Sequence, residues 1–137
     1  MKLGGRLKRD ERGVAVIEMA FALPILITMI WMFVQLAQVY RALAGIQQAL
    51  GEGARLATIW PTPSAQDIHD RIEESVYGIG PGDFDVDMPE IENDGTETGN
   101  YYDLKVTYTQ ETNLLFVPGP DIHVERTKRV WVAGDAA

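Results

Sequence analysis

From Val14 to Val34 the chain runs for 21 residues with one ionisable side chain, Glu18, and one other polar side chain, Thr28. At about 1.5 Å rise per residue, such a helix reaches roughly 31 Å, close to the hydrocarbon thickness of a bilayer. A helix this apolar on every face has no place in a small soluble core, so the run reads as a membrane span. In a chain of 137 residues this leaves room for one small domain beside the span. Lys2, Arg6, Lys8, Arg9 and Arg12 precede the span together with Asp10 and Glu11, a balance of +3 over residues 1–13; the other 124 residues carry −11, which gives the net −8. After the span the nearest basic side chains are Arg41 and Arg55. This asymmetry places the N-terminus in the cytoplasm and the bulk of the chain outside. The run is too long for an ordinary signal-peptide core, and no small-x-small site closes it, so the span is expected to persist.

Two residues inside the span stand out. A carboxylate in a membrane-length segment is a functional candidate, which singles out Glu18. Edge carboxylates also snorkel to the interface, and position alone leaves both readings open. Pro24 removes a backbone donor and is expected to kink or locally unwind the helix, as a plain kink or as a hinge.

Beyond the bilayer, Leu36, Val39, Leu43, Ile46, Leu50, Gly53, Ala57 and Trp60 recur in steps of three and four, while Gln35, Gln38, Arg41, Gln48, Glu52 and Arg55 fall on other faces. One helix over Val14–Ile59, stopped by Pro61, accounts for this, with the seam covered by the chain's own sheet or by another helix. Gly45, Gly51 and Gly53 lower helix propensity and mark a place for a bend or local melting. Ser64 as N-cap with Asp67 three residues on starts a short helix whose apolar face is Ala65, Ile68, Ile72 and Val76, ending near Tyr77-Gly78. The period then becomes two. Phe84, Val86 and Met88 alternate with Asp83, Asp85 and Asp87, and Tyr102, Leu104, Val106 and Tyr108 form the clearest strand. Pro89–Asn100 reads as a loop with a turn at Asn93-Asp94-Gly95. Ile122–Val132 alternates again, but Arg126 and Lys128 share parity with Val124 and Val130, which calls for a bulge or a strand end leaving the core.

The expected fold is α+β: a long N-terminal helix, membrane-spanning then amphipathic, a short second helix, and an antiparallel sheet of about three strands. Its parts are a leader over 1–13, a transmembrane helix over 14–37, an amphipathic continuation over 38–60, and an extracytoplasmic domain over 61–137. The absence of cysteine removes disulfides, thiolate metal sites and a cysteine nucleophile. An acidic body does not suit nucleic acid. Asp83, Asp85 and Asp87 invite a calcium reading, with Asp94 and Glu97 as further donors. Strict alternation instead spreads the three along about 13 Å of one strand face, so a solvated face is the better reading and no metal or cofactor is expected. His69 and His123 are isolated, Ser64 and Ser75 show no activating partner, and no catalytic constellation is present, so no enzyme is expected. Trp31, Trp60 and Trp131 read as membrane-interface or core residues.

The stretch Arg12-Gly13-Val14-Ala15-Val16-Ile17-Glu18-Met19-Ala20-Phe21-Ala22-Leu23-Pro24-Ile25-Leu26 resembles the N-terminus of TadE/TadF-type proteins, the minor pilins or pseudopilins of tight-adherence (Flp, type IVc) pilus systems. The likeness extends over about residues 12–57, through Gly53-Ala54-Arg55-Leu56-Ala57. Met19 departs from the aromatic that Tad-type pilins usually carry after the glutamate, which counts against the major pilin more than the minor class. The resemblance implies cutting by a prepilin peptidase between Gly13 and Val14 on the cytoplasmic side, in a protein of the inner membrane or the pilus. It implies other pilin subunits, platform proteins and membrane lipid as further partners. Glu18 would then pair with a mature N-terminus, its own or a neighbour's. The competing readings are an uncleaved single-span scaffold of an envelope complex and a type II secretion pseudopilin.

Overall fold

A computed structural model describes residues 11–61, 63–96, 99–115 and 117–132, with the side chains of Glu11 and Arg12 excepted. Most of the basic leader, and Glu97, therefore lie outside the described residues. Helix α1 runs from Glu11 to Ala57, three residues earlier and two residues shorter at its end than the periodicity indicates. Its end is a tightened turn: the Thr58 hydroxyl donates to the Arg55 carbonyl at 2.9 Å, and the Ile59 amide to the Leu56 carbonyl at 3.0 Å. The α region is already closed to Trp60 by Pro61.

The helix is not unwound at Pro24; helical structure continues through it. The Thr28 hydroxyl, one turn on, donates to the Pro24 carbonyl at 2.8 Å. Nor does the glycine-rich stretch melt. A Cβ at Gly53 would come within 2.5 Å of Ile72 Cγ1 and 3.4 Å of Leu104 Cδ1, and one at Gly45 would strike Ile79. These two glycines are notches that let side chains of the outer domain reach the helix backbone, and packing offsets their low propensity.

Helix α2, Ala65–Val76, starts on the expected capping box. Ser64 Oγ accepts from the Asp67 amide at 3.2 Å, and Asp67 Oδ2 accepts from the Ser64 amide at 3.1 Å. The Ser64 hydroxyl, then its amide, hold the Asp67 carboxyl below its ordinary pKa. Ile68, Ile72 and Val76 are buried against α1 and the sheet.

The sheet has four strands, all antiparallel: β1 (Asp83–Val86), β2 (Ile91–Asn93), β3 (Asn100–Gln110) and β4 (Ile122–Trp131). β3 lies at the centre, with β1 and β2 along one edge and β4 along the other. β2 occupies what reads in the sequence as loop; its three residues are all exposed, so no alternation marks it. Met88 falls outside β1. The β3–β4 ladder runs one-to-one from Tyr101↔Trp131 to Gln110↔Ile122, so there is no bulge at Arg126 and Lys128. They face the same side as Val106 and Leu104, their register partners, but are exposed because cover is missing over the middle of the edge strand.

Val39, Ala42, Ile46, Ala49, Leu50 and Ala57 of α1 form the core with Ile68, Ile72, Leu104, Val106 and Tyr108. The seam of α1 is thus covered by the chain's own sheet and α2. Its true line differs from the simple stripe: Leu36 and Trp60 are exposed, while Ala42 and Ala49 are wholly buried. The opposite face of the sheet is solvated and ion-paired. Arg129 forks onto Asp103 at 2.9 and 2.7 Å and lies 3.9 Å over the Tyr101 ring, and Lys105 bridges Asp87 and Glu125 at 3.2 Å each.

Candidate functional site

The first turns of α1 are bare. Residues 13–27 are all exposed, Val14 at 65% and Phe21 at 72%. α1 is a helix long and apolar enough to cross a membrane, and its most apolar window has no cover from the rest of the chain. Among the described residues it is the one helix with the length and composition of a single-pass membrane anchor.

Gly13, Val14 and Glu18 lie on this bare stretch. Val14 and Glu18 are four residues apart, hence neighbours on one helix face, separated by about 6 Å along the axis. Every ion pair among the described residues lies between Glu52 and Arg129, so none involves Glu18. Gly13 sits inside α1, yet a Cβ there would meet nothing within 4 Å. Among the described residues nothing therefore calls for glycine at 13, in contrast to Gly45 and Gly53. Pro24 lies six residues above Glu18 on the same uncovered stretch.

Where the bare stretch ends, a polar clasp begins. Gln35 is 8% exposed. Its Nε2 donates to the Asn113 carbonyl at 2.6 Å, and its Oε1 accepts from the Asn113 amide at 3.0 Å. Trp31 Nε1 donates to Asn113 Oδ1 at 2.8 Å. The β3–β4 loop is thereby pinned to the helix at the top of the apolar run. The sequence places Gln35 on an outer face; the structure buries it. The one available signal is that it is the first amide after the apolar run.

The other polar groups serve the fold. His69 Nε2 lies 3.1 Å from the Val86 carbonyl, which can only accept, so this nitrogen carries the proton and ties α2 to β1. Its Nδ1 lies 3.3 Å from Asp70 Oδ1, and with Glu73 the three donor atoms fall within 4.8 Å of one another. Both carboxylates are exposed on the outer side of α2. His123 meets the Thr109 hydroxyl at 3.0 Å. Asp83, Asp85 and Asp87 are exposed, and Asp87 takes Lys105 as its partner. Asp94 turns inward on its own loop, accepting from the Thr96 hydroxyl and amide, which hold its carboxyl below the ordinary value. Glu52 is held low first by Arg55, then by Arg71, linking α1 to α2.

Residues 13–55 match the model of the TadE-like protein family, a region that begins at Gly13 and ends in the packed half of α1. No curated protein and no solved structure matches the chain.

Proposed function

We propose that this chain is a minor pilin or pseudopilin of a tight-adherence (type IVc) pilus system, cut by a prepilin peptidase between Gly13 and Val14. The match over residues 13–55 supports a structural, pilus-associated protein rather than an enzyme. The observation that carries the finer reading is the site itself: a glycine that nothing among the described residues calls for, followed by a carboxylate on a bare apolar helix. A small residue at 13 suits a partner that must close around the backbone, such as a peptidase pocket.

Cutting creates an α-amino group at Val14. It and Glu18 then share the cytoplasmic edge of the bilayer, with the outer domain on the far side. A carboxylate left unpaired at mid-bilayer costs up to about 3 kcal/mol, and less near the edge. A neighbouring subunit displaced along the axis brings its amino group against Glu18, neutralises both charges and fixes the register between helices. The platform proteins of the system and membrane lipid complete the set of partners.

N-terminal sequencing of the membrane-bound protein tests the cut. A start at Val14 is expected, and Gly13→Leu is expected to abolish it. An intact N-terminus in the wild-type chain defeats the reading and leaves an uncleaved single-span scaffold. Glu18→Ala is expected to insert and be cut but fail to assemble; normal assembly would remove the register role.

A further inference from the structure

The β3–β4 loop carries an apolar tip whose described residues are left uncovered. Between Glu111 and Asp121 there is no charged residue, and the middle reads Leu114-Leu115-Phe116-Val117. Leu114 is 42% exposed, Leu115 36% and Val117 58%. The turn is tight: the Leu114 amide donates to the Val117 carbonyl at 2.7 Å, and Asn113 bridges to Pro118. Leu115 sits at φ 62°, the left-handed region that Gly or Asn usually fills at a turn. A leucine held there in water would combine backbone strain with an unfavourable exposed side chain.

Its height on the molecule explains the choice. The clasp of Trp31 and Gln35 on Asn113 holds the loop beside α1 where the apolar run ends. Beside the clasp, and bordered by Gln35 and Asn113, a mainly apolar recess of about 390 Å³ is lined by Met29, Met32, Phe33 and Leu36 of α1 and by Leu114 and Ile122. Met29 is five residues below Val34, so the recess reaches roughly 7 Å under the top of the run. That is the depth at which interfacial elements bury their apolar face. A span that crosses the bilayer carries this loop into the same layer.

We propose that the β3–β4 loop is a second membrane-contacting element, inserting Leu114, Leu115 and Val117 into the bilayer leaflet on the outer-domain side. Lipid acyl chains occupy the recess beside Met29 and Met32. With one helix crossing and one loop dipping, the outer domain is held at two points and cannot swivel about α1. The inference requires that α1 cross a bilayer and is independent of cleavage or pilus assembly.

The chain is free of cysteine, so single labels are available without further change. Full-length Leu115→Cys, Val117→Cys, Ile25→Cys and Thr127→Cys, each carrying an environment-sensitive fluorophore, are reconstituted in phosphatidylcholine–phosphatidylglycerol vesicles. Ile25 reports the span and Thr127 the solvated sheet face. Labels at 115 and 117 are expected to match Ile25: blue-shifted emission, quenching by nitroxide-bearing lipid, and loss of the iodide quenching seen at Thr127. Iodide quenching at 115 and 117 overturns the proposal. Shielding from both quenchers that weakens as protein is diluted in lipid also overturns it, because a second copy is then the occupant.

Discussion

Replacing Gln35 by alanine isolates the clasp. It removes two hydrogen bonds to the Asn113 backbone, one at 2.6 Å and one at 3.0 Å. Each is worth about 1 kcal/mol net. Asn113 is exposed and level with Gln35, just past the top of the apolar run and at the hydrated interface, so water re-satisfies its amide and carbonyl and the full penalty for stranding a buried group does not apply. The Trp31 bond to the Asn113 side chain remains. The loop should therefore open more easily by about 2 kcal/mol, a rise of roughly thirtyfold in the released population. Native-state hydrogen exchange in nanodiscs reads this at the atom concerned, since the Asn113 amide is itself a donor in the clasp. Protection there should fall by at least about thirtyfold, because the amide also loses its own acceptor, while Val106 and Tyr108, buried in the centre of β3, keep theirs. Unchanged exchange at Asn113 would refute the clasp as the hold on the loop. An equal fall at Val106 and Tyr108 would refute the local reading, because loop and sheet would then open as one unit.

The two kinds of helix glycine should respond oppositely. Gly53→Val drives a side chain into Ile72 and should destabilise the outer domain by about 1–3 kcal/mol in denaturant unfolding, whereas Gly51→Ala, with nothing within 4 Å, should stabilise it by up to about 1 kcal/mol. Ile72→Ala, at a fully buried position between α1, α2 and the sheet, should cost about 2–5 kcal/mol in the same assay. Arg129 holds the Asp103 carboxyl below its ordinary value, so the pair's contribution is present above that value and lost as pH falls through the lowered one. Arg129→Gln should flatten the acid limb of a stability–pH profile, and an unchanged limb would show that other carboxylates set it.

Elements whose burial alternates with their geometry were legible. Ser64 and Asp67 announced α2 because capping is a local bond set by spacing, and the Tyr102–Tyr108 alternation announced β3 because one face is wholly buried. β2 was not legible, because three exposed residues paired to a neighbour leave no hydrophobic trace. Arg126 and Lys128 suggested a bulge for a related reason: periodicity reports cover, and the middle of β4 has none on its inner side. Of the candidate site, Gly13 and Glu18 were visible because their surroundings are uniform. The Gln35–Asn113 clasp was not, since it joins residues 78 apart whose polarity is ordinary in isolation. Glycines 45 and 53 looked like weak points because propensity is a property of the helix alone, while their role lies in Ile79 and Ile72 across the packing.

The bare half of α1 also bears on what a single charge can do in the proposed assembly. Apart from Glu18, residues 13–27 present an exposed apolar surface. Moving such a surface from lipid to another apolar helix changes little, because lipid tails are as apolar as the side chains that replace them. Sliding one such helix along another by a turn changes equally little. Against that flat background, even part of the roughly 3 kcal/mol attached to an unpaired carboxylate exceeds the other terms that depend on axial position. Glu18 is therefore too weak to drive subunits together and strong enough to decide where they stop. On this argument Glu18→Gln, which keeps shape and removes charge, should leave helix association in detergent nearly unchanged while broadening the distribution of axial registers seen by crosslinking. A single sharp register in that variant would place the determinant elsewhere on α1.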